Sequence, residues 1–541
     1  MRTAESIVID GYDLLAENGR LAFEDVVVRG RRINRGTATV PEAGTPHDAY
    51  EAVRAEHGRQ IFPNTISAES PVIDYSWPAT GVFVGSPAGT YLDLYQGVAQ
   101  KLIDEHHPVY RATVKALVEH GLVFRREINT DDFVTLGDGL PGLHTSQELA
   151  ALLNGLARDR FGGKSRFRTF FSNSGAEAGE AAMKLAQVHA YRRFLKRHGM
   201  AVLERVAADL GIGRVPYFDD VAGDEPVLAD YPFFVIACDG SFHGRTYGVL
   251  SLTRSKKIHH LGFGKLRWTA HIPFNGKRED LTSRLDTRPI TEILAAPGGV
   301  RAVVDAGKVP VDLAAMFAVE CYQGEGGYRL ADRTWLRGIA QTCIDHDILF
   351  GVDEVQSFGR TGKLFAVEHF GVEPDILWAS KSAVVGFTTA CANLAEDCRV
   401  GWHSNTFGGG KFFELNMAFA TVDMLNHHRD KLFEGRSYLE NSRIKGEYTR
   451  MRLADLSARH PDLFPAFSGL GGMWGLSVRY REEIVEAGWM LGAKLLGCGA
   501  AGETSRLRII LPADVLTREV DEVVTVLDRV FSAVEARHDD L

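Results

Sequence analysis

The pattern that most restricts this chain is an alternation of short apolar runs with helix-spaced stretches. "FRTFFSN" (167–173) leads into "GAEAGEAAMKLAQVHAYRRFL" (175–195), and "MFAVE" (316–320) into "ADRTWLRGIAQTCIDHD" (331–347). "ILFGVDE" (348–354) and "PDILWAS" (374–380) follow. Within the second helical stretch Leu336, Ile339, Ala340, Cys343 and Ile344 recur at helical spacing. Strand-helix-strand order of this kind predicts an α/β fold with a mostly parallel central sheet and helices on both faces. Ligands of such sheets bind beyond the carboxyl ends of the strands. Asp353, Glu320 and Lys381 all fall at or just past such ends.

With 541 residues the chain exceeds one ordinary domain. We expect an N-terminal segment, 1–95, that joins a small lobe and the entrance to the site. A large domain is expected over 96–405 and a C-terminal small α+β domain over 406–541. The last of these contains a glycine-rich strand, "SGLGGMWGLSVR" (468–479), and an amphipathic helix, "REVDEVVTVLDRVFSAVEAR" (518–537). Residues 195–232 and 275–315 are polar and punctuated by Pro and Gly, and read as insertions. A net charge of −9 argues against nucleic-acid and membrane-surface partners. No window approaches the length of a membrane span, and "MRTAESIVIDGYDLLAENG" lacks the pattern of a secretory signal. Six cysteines without a C-x-x-C pair point to reduced thiols, a cytoplasmic setting and no zinc site. The histidines, including His259 and His260, lack ligand spacing, so no metal is expected.

The run Ile348-Leu349-Phe350-Gly351-Val352 reads as a strand buried on both faces, and it stops at Asp353 and Glu354. A carboxylate there requires a cation or donors. Magnesium in a P-loop site is one candidate, but "FGGGKFF" (407–413) has Asn405 where the first Gly belongs and Phe412 where a hydroxyl belongs. The other candidate is the protonated ring nitrogen of pyridoxal phosphate, which acts as an electron sink while it keeps its proton. That cofactor also needs an amine, and Lys381 follows the strand "DILWAS" directly. It needs a phosphate cradle as well: Ser174-Gly175-Ala176 runs from a strand straight into a helix start. Ser241 in "CDGSFHG" lacks the first Gly of a hydrolase elbow.

"FFSNSGAEAGEAAMKLA", "GSFHGRTYGVLSLT", "QGEGG", "GVDEVQSFGRTG", "DILWASKS" and "SNTFGGG" together resemble, in order, the motifs of class III, fold type I, pyridoxal phosphate-dependent aminotransferases. The resemblance covers roughly residues 80 to 520. It implies that Lys381 binds the cofactor as an imine and shuttles a proton, and that Asp353 pairs with the ring nitrogen. Gln356 then sits near the phenolic oxygen, and Val355 and Phe242 lie on the two ring faces. Ser174, Gly175 and Ala176 hold the phosphate, and Thr406 reaches the phosphate of the neighbouring subunit, making the active unit a homodimer.

Within that family the chain is most similar to 4-aminobutyrate and lysine 6-aminotransferases. The likeness rests on Arg245 in "SFHGRTYG", "YLDLYQG" (91–97), Glu325 in "QGEGG" and Arg508 in "SRLRIILPADV". It implies that Arg245 grips the far carboxylate of an ω-amino donor. Glu325 covers Arg508 while that donor is bound, then swings away so that Arg508 takes the α-carboxylate of 2-oxoglutarate. An aminomutase, racemase or decarboxylase of the same fold is the alternative, and a non-catalytic pyridoxal phosphate-binding protein a further one. Cys321 after Glu320 and Gly410 depart from the family's usual proline and asparagine.

Overall fold

The computed structural model describes residues 25–28, 31–34, 81–86, 89–125, 136, 140–162, 166–212, 231–277, 279–396, 403, 411–499 and 505–538. At its centre is a seven-stranded sheet. Its strands in chain order are β1 (Phe167–Ser172), β2 (Phe234–Cys238), β3 (Thr269–Ile272), β4 (Ala314–Val319), β5 (Leu349–Asp353), β6 (Ile376–Ala379) and β7 (Gly386–Cys391). They lie in the order β1-β7-β6-β5-β4-β2-β3. The pairs β5/β6, β4/β5, β2/β4 and β2/β3 are parallel, and only β7 runs against its neighbours.

Every residue of β2, β4, β5, β6 and β7 is buried, as strands covered on both faces require. One cover is α1 (Gly175–His198), which packs on β4, β6 and β7 and presents Ala178, Ala181, Ala182 and Ala186 to the core. Small side chains let this long helix lie close to the sheet. Another is α2 (Arg333–Asp345), capped by the Asp332 carboxylate accepting the Trp335 N–H and packed on β5. Because the other six strands share one direction, the ends of β1, β4, β5 and β6 gather at a single edge.

The apolar interior forms a large cluster around this sheet and a smaller one that begins with Val82, Phe83, Leu92 and Leu94 and resumes at Leu453. Strand Gly89–Asp93 pairs with Ala493–Lys494, so the early segment is built into the C-terminal lobe. Helix Phe412–His427 buries Leu415, Val422 and Leu425 in the large cluster. Helix Tyr438–Arg459 links the two clusters, with Tyr438 in the large one and Leu453 in the small one.

Within 275–315, short helices bury Leu281, Ile290, Ile293, Val300 and Val303 in the large core. One sequence expectation differs from the fold. "SGLGGMWGLSVR" is the body of a hairpin rather than one strand. Ala466–Leu470 and Met473–Ser477 pair antiparallel, and Gly471 takes the left-handed conformation (φ 56°) that the turn demands. Among the described residues, no helix is long and apolar enough to cross a membrane.

Candidate active site

Asp353 closes β5 and is buried. Its Oδ1 accepts the Val355 N–H at 2.9 Å, and its Oδ2 lies 2.8 Å from Nδ1 of the buried His243. Burial opposes a charge on His243, but the hydrogen bond to Asp353 and the charges of Asp353 and Glu320 outweigh it and raise the imidazole pKa. The carboxylate therefore has a hydrogen-bonding partner within the chain. His243 lies in a motif quoted above, yet its 110-residue separation from Asp353 left no local signal of the pairing.

The adjacent acid, Glu354, is engaged elsewhere. It accepts the Ser357 hydroxyl and the Ala366 and Val367 N–H groups, and burial pushes it up to about 7. Glu320, just past β4, joins two loops: one oxygen accepts the Phe242 N–H at 2.9 Å and the other the Gly324 N–H at 3.1 Å.

Lys381 stands just past β6 with a left-handed backbone (φ 50°). This conformation costs a lysine about 1–2 kcal/mol and marks a side chain held where the fold would not otherwise put it. Burial, and then the charge of Arg508, lower its amine to about 8. The buried Arg360 adds to this effect, its Nη2 donating to the Ala99 and Lys101 carbonyls at 2.7 Å each.

Ser174 caps α1, its Oγ accepting the Glu177 N–H at 3.2 Å. The first-turn N–H groups of Gly175 and Ala176 have no carbonyl to meet within the helix. A Cβ at Gly175 would lie 2.8 Å from Val355 Cγ2, so the absence of a side chain lets Val355 close against the helix start. Gly244 (φ 130°) similarly brings the loop after Phe242 onto Ala176, where a Cβ would be 2.7 Å from the alanine methyl. Phe242 is half-buried, with His259 edge-on at 5.3 Å and the exposed Arg245 guanidinium 5.8 Å from its ring centre. Gln356 accepts the Tyr328 hydroxyl at 3.3 Å.

Arg508, in strand Arg506–Ile510 of the small lobe, is buried and donates from Nη1 to Glu325 Oε1 at 2.7 Å. Its guanidinium lies 5.8 Å from the Tyr328 ring. Burial opposes ionisation of Glu325, but Arg508 and then Lys256 override it and hold the carboxyl at about 2. The second Glu325 oxygen is 3.5 Å from Lys256 Nζ, a cation that sequence reading did not single out. Tyr95 of "YLDLYQG" lies within electrostatic reach of both Arg508 and Glu325. The fold thus brings Ser174, Gly175, Ala176, Phe242, Glu325, Asp353, Val355, Gln356, Lys381 and Arg508 to one region where the two lobes meet. Thr406 lies outside the described residues.

An acid and an amine at neighbouring strand ends, beside an anion-accepting helix start, define a site for a charged heterocycle with a phosphate arm. The family comparison agrees. The model of the class-III aminotransferases matches residues 71–531, and the chain belongs to that family. It is 28% identical to the acetylornithine aminotransferase of Caldanaerobacter subterraneus subsp. tengcongensis over 83% of this chain and 92% of the relative. It is 31% identical to that of Archaeoglobus fulgidus over 70% and 78% respectively. Among solved structures, the ornithine aminotransferase of Toxoplasma gondii superposes with a TM-score of 0.65 at 20% identity, covering 90% of this chain and 96% of that one. The lysine aminotransferase of M. tuberculosis in its internal aldimine form gives 0.63 at 22%, covering 89% and 99%. The fold is the fold type I arrangement, and the protein is a pyridoxal phosphate-dependent aminotransferase. Its residues suit the cofactor: Val355 packed against Gly175, helix-start N–H groups that meet no carbonyl within the helix, and the buried Asp353 match a flat ring with an anionic arm.

Proposed function

We propose that this enzyme is an ω-aminotransferase, moving a terminal amine from a donor such as 4-aminobutyrate or lysine to 2-oxoglutarate in two half-reactions. The observation that carries this reading is the buried Glu325–Arg508 pair, 2.7 Å apart and within electrostatic reach of Lys381. One site must accept a donor with no carboxylate on its reacting carbon, and then an acceptor that has one. A bare buried guanidinium is costly in the first state, and a carboxylate that withdraws in the second removes the conflict. The names of the relatives, acetylornithine, ornithine and lysine aminotransferases, support a donor whose reacting amine is remote from its α-carboxylate.

When bound, pyridoxal phosphate supplies an electron sink that eases loss of a proton from the carbon bearing the amine. Lys381 would hold the cofactor's aldehyde carbon and, once the donor's amine has displaced it, would move that proton, a task suited to an amine lowered to about 8. Asp353, fixed by His243, keeps the ring nitrogen protonated, while Ser174, Gly175 and Ala176 hold the phosphate. Val355 and Phe242 bound the ring, Gln356 meets its phenolic oxygen, and Arg245 faces the distal carboxylate of the donor. Thr406 of a second copy completes the phosphate site in a homodimer.

A panel of amino donors, scored by loss of the cofactor's absorbance in a single turnover without acceptor, tests the reading. Terminal-amine donors should react fastest, and steady-state double-reciprocal lines should be parallel. Intersecting lines, or turnover of one amino substrate with no oxo acid, would overturn it.

A further inference from the structure

Glu325 is held by two cations rather than one. Its Oε1 takes the Arg508 hydrogen bond, while its Oε2 is 3.5 Å from Lys256 Nζ. The two differ in setting: the Arg508 side chain is 3% exposed and that of Lys256 33% exposed, with Glu325 at 12% between them. Glu325 sits at the tip of the hairpin formed by Tyr322–Gln323 and Arg329–Leu330, flanked by Gly324 and Gly326. Lys256 approaches from another element, on the segment that continues from the Phe242 loop and precedes helix Lys257–His260.

A carboxylate that leaves a buried guanidinium must be solvated or paired again, and here the nearest cation lies on its outward side. We propose that Lys256 is the second station of Glu325: when an acceptor's α-carboxylate occupies Arg508, Glu325 transfers its ion pair to Lys256 and stays at the rim of the site. Lys256 is then a positioning residue for the acceptor half-reaction and has no part in the donor's. With it in place, the acceptor-bound site holds two acids and two cations. Without it, Glu325 keeps Arg508 as its hydrogen-bonded cation and competes with the incoming carboxylate. The inference rests on the reading of Arg508 as the carboxylate site.

The test uses the purified holoenzyme, with 2-oxoglutarate as acceptor and lysine and 4-aminobutyrate as donors, each half-reaction followed in single turnovers. Lys256→Met should raise the half-saturating concentration of 2-oxoglutarate about three- to fivefold, at the upper end of the range for a partly exposed ion pair. The donor half-reaction should stay within about twofold, and Lys256→Arg should restore the acceptor value. In a Glu325→Gln background, where no carboxylate remains to be moved, Lys256→Met should have no further effect. A Lys256→Met enzyme with unchanged acceptor saturation would overturn the proposal. So would an equal loss in both half-reactions, or an effect that persists undiminished beside Glu325→Gln. Arg508→Ala, measured in parallel, separates the two levels. If it leaves 2-oxoglutarate saturation intact, the reading beneath this inference fails; if it weakens saturation while Lys256→Met does not, only the role of Lys256 falls.

Discussion

His243 Nδ1 lies 2.8 Å from Asp353 Oδ2, with both side chains shut off from water. The histidine fixes which carboxylate oxygen is committed inward and holds it in place with a buried hydrogen bond. His243→Ala should leave the cofactor bound but lower kcat by roughly 10- to 100-fold, the worth of about 1.5–3 kcal/mol for a hydrogen bond to a charged group. Stopped-flow turnover of the coloured variant checks this. Activity within twofold of the parent enzyme would mean that Asp353 needs no such support.

The Lys381 amine, lowered to about 8 from an ordinary 10.5, gives a pH signature. Between those values the folded apoprotein binds fewer protons than the unfolded chain, so its stability rises with pH across the window. The neutral amine is also the form that attacks an aldehyde. The rate of covalent reconstitution with pyridoxal phosphate, followed by absorbance, should therefore climb with a midpoint near 8. Arg508→Ala should move that midpoint upward, because Arg508 is the largest charge holding the amine down. Lys381→Ala should abolish the imine colour and transamination together.

Glu320 joins the loop of Phe242 to the turn of Glu325 through two backbone N–H groups. Glu320→Ala leaves both donors buried without acceptors, a loss of about 1–3 kcal/mol each. Glu320→Gln keeps one carbonyl oxygen and should lose about half as much. Urea unfolding of the three proteins would check the ranking, and an alanine variant as stable as the glutamine one would contradict it.

Gly175→Ala places a methyl 2.8 Å from Val355 Cγ2. Val355 must then shift toward the space we assign to the cofactor ring. We expect cofactor affinity to fall by about tenfold, within the 1–3 kcal/mol typical of overpacking. Equilibrium titration of the apoprotein measures it. The Val355→Ala, Gly175→Ala double variant should recover part of the loss.

Asp353, Lys381 and the Ser174–Ala176 helix start were legible because each is fixed by a local rule: an apolar run makes a strand, and the residue after it stands at the sheet's working edge. His243, Lys256 and Tyr328 were not, since their partners lie 110, 69 and 28 residues away and only the assembled fold pairs them. The burial of Leu281, Ile290 and Val300 was hidden because helices of five to seven residues show too few turns to register as a stripe.

The reversed strand β7 has a consequence for cofactor choice. It pairs on one side with β6, Phe387 opposite Ala379, and on the other with β1, Gly386 opposite Ser172. Lys381 sits on the connection between β6 and β7, and Ser174 follows the end of β1. The gap between the amine and the helix start is thus set by a ladder of backbone hydrogen bonds, which changes only in whole-residue steps that would exchange the side chains packed on the two faces of the sheet. The sheet works as a ruler, and a vitamin analogue lengthened by one methylene in its phosphate arm would find no intermediate notch.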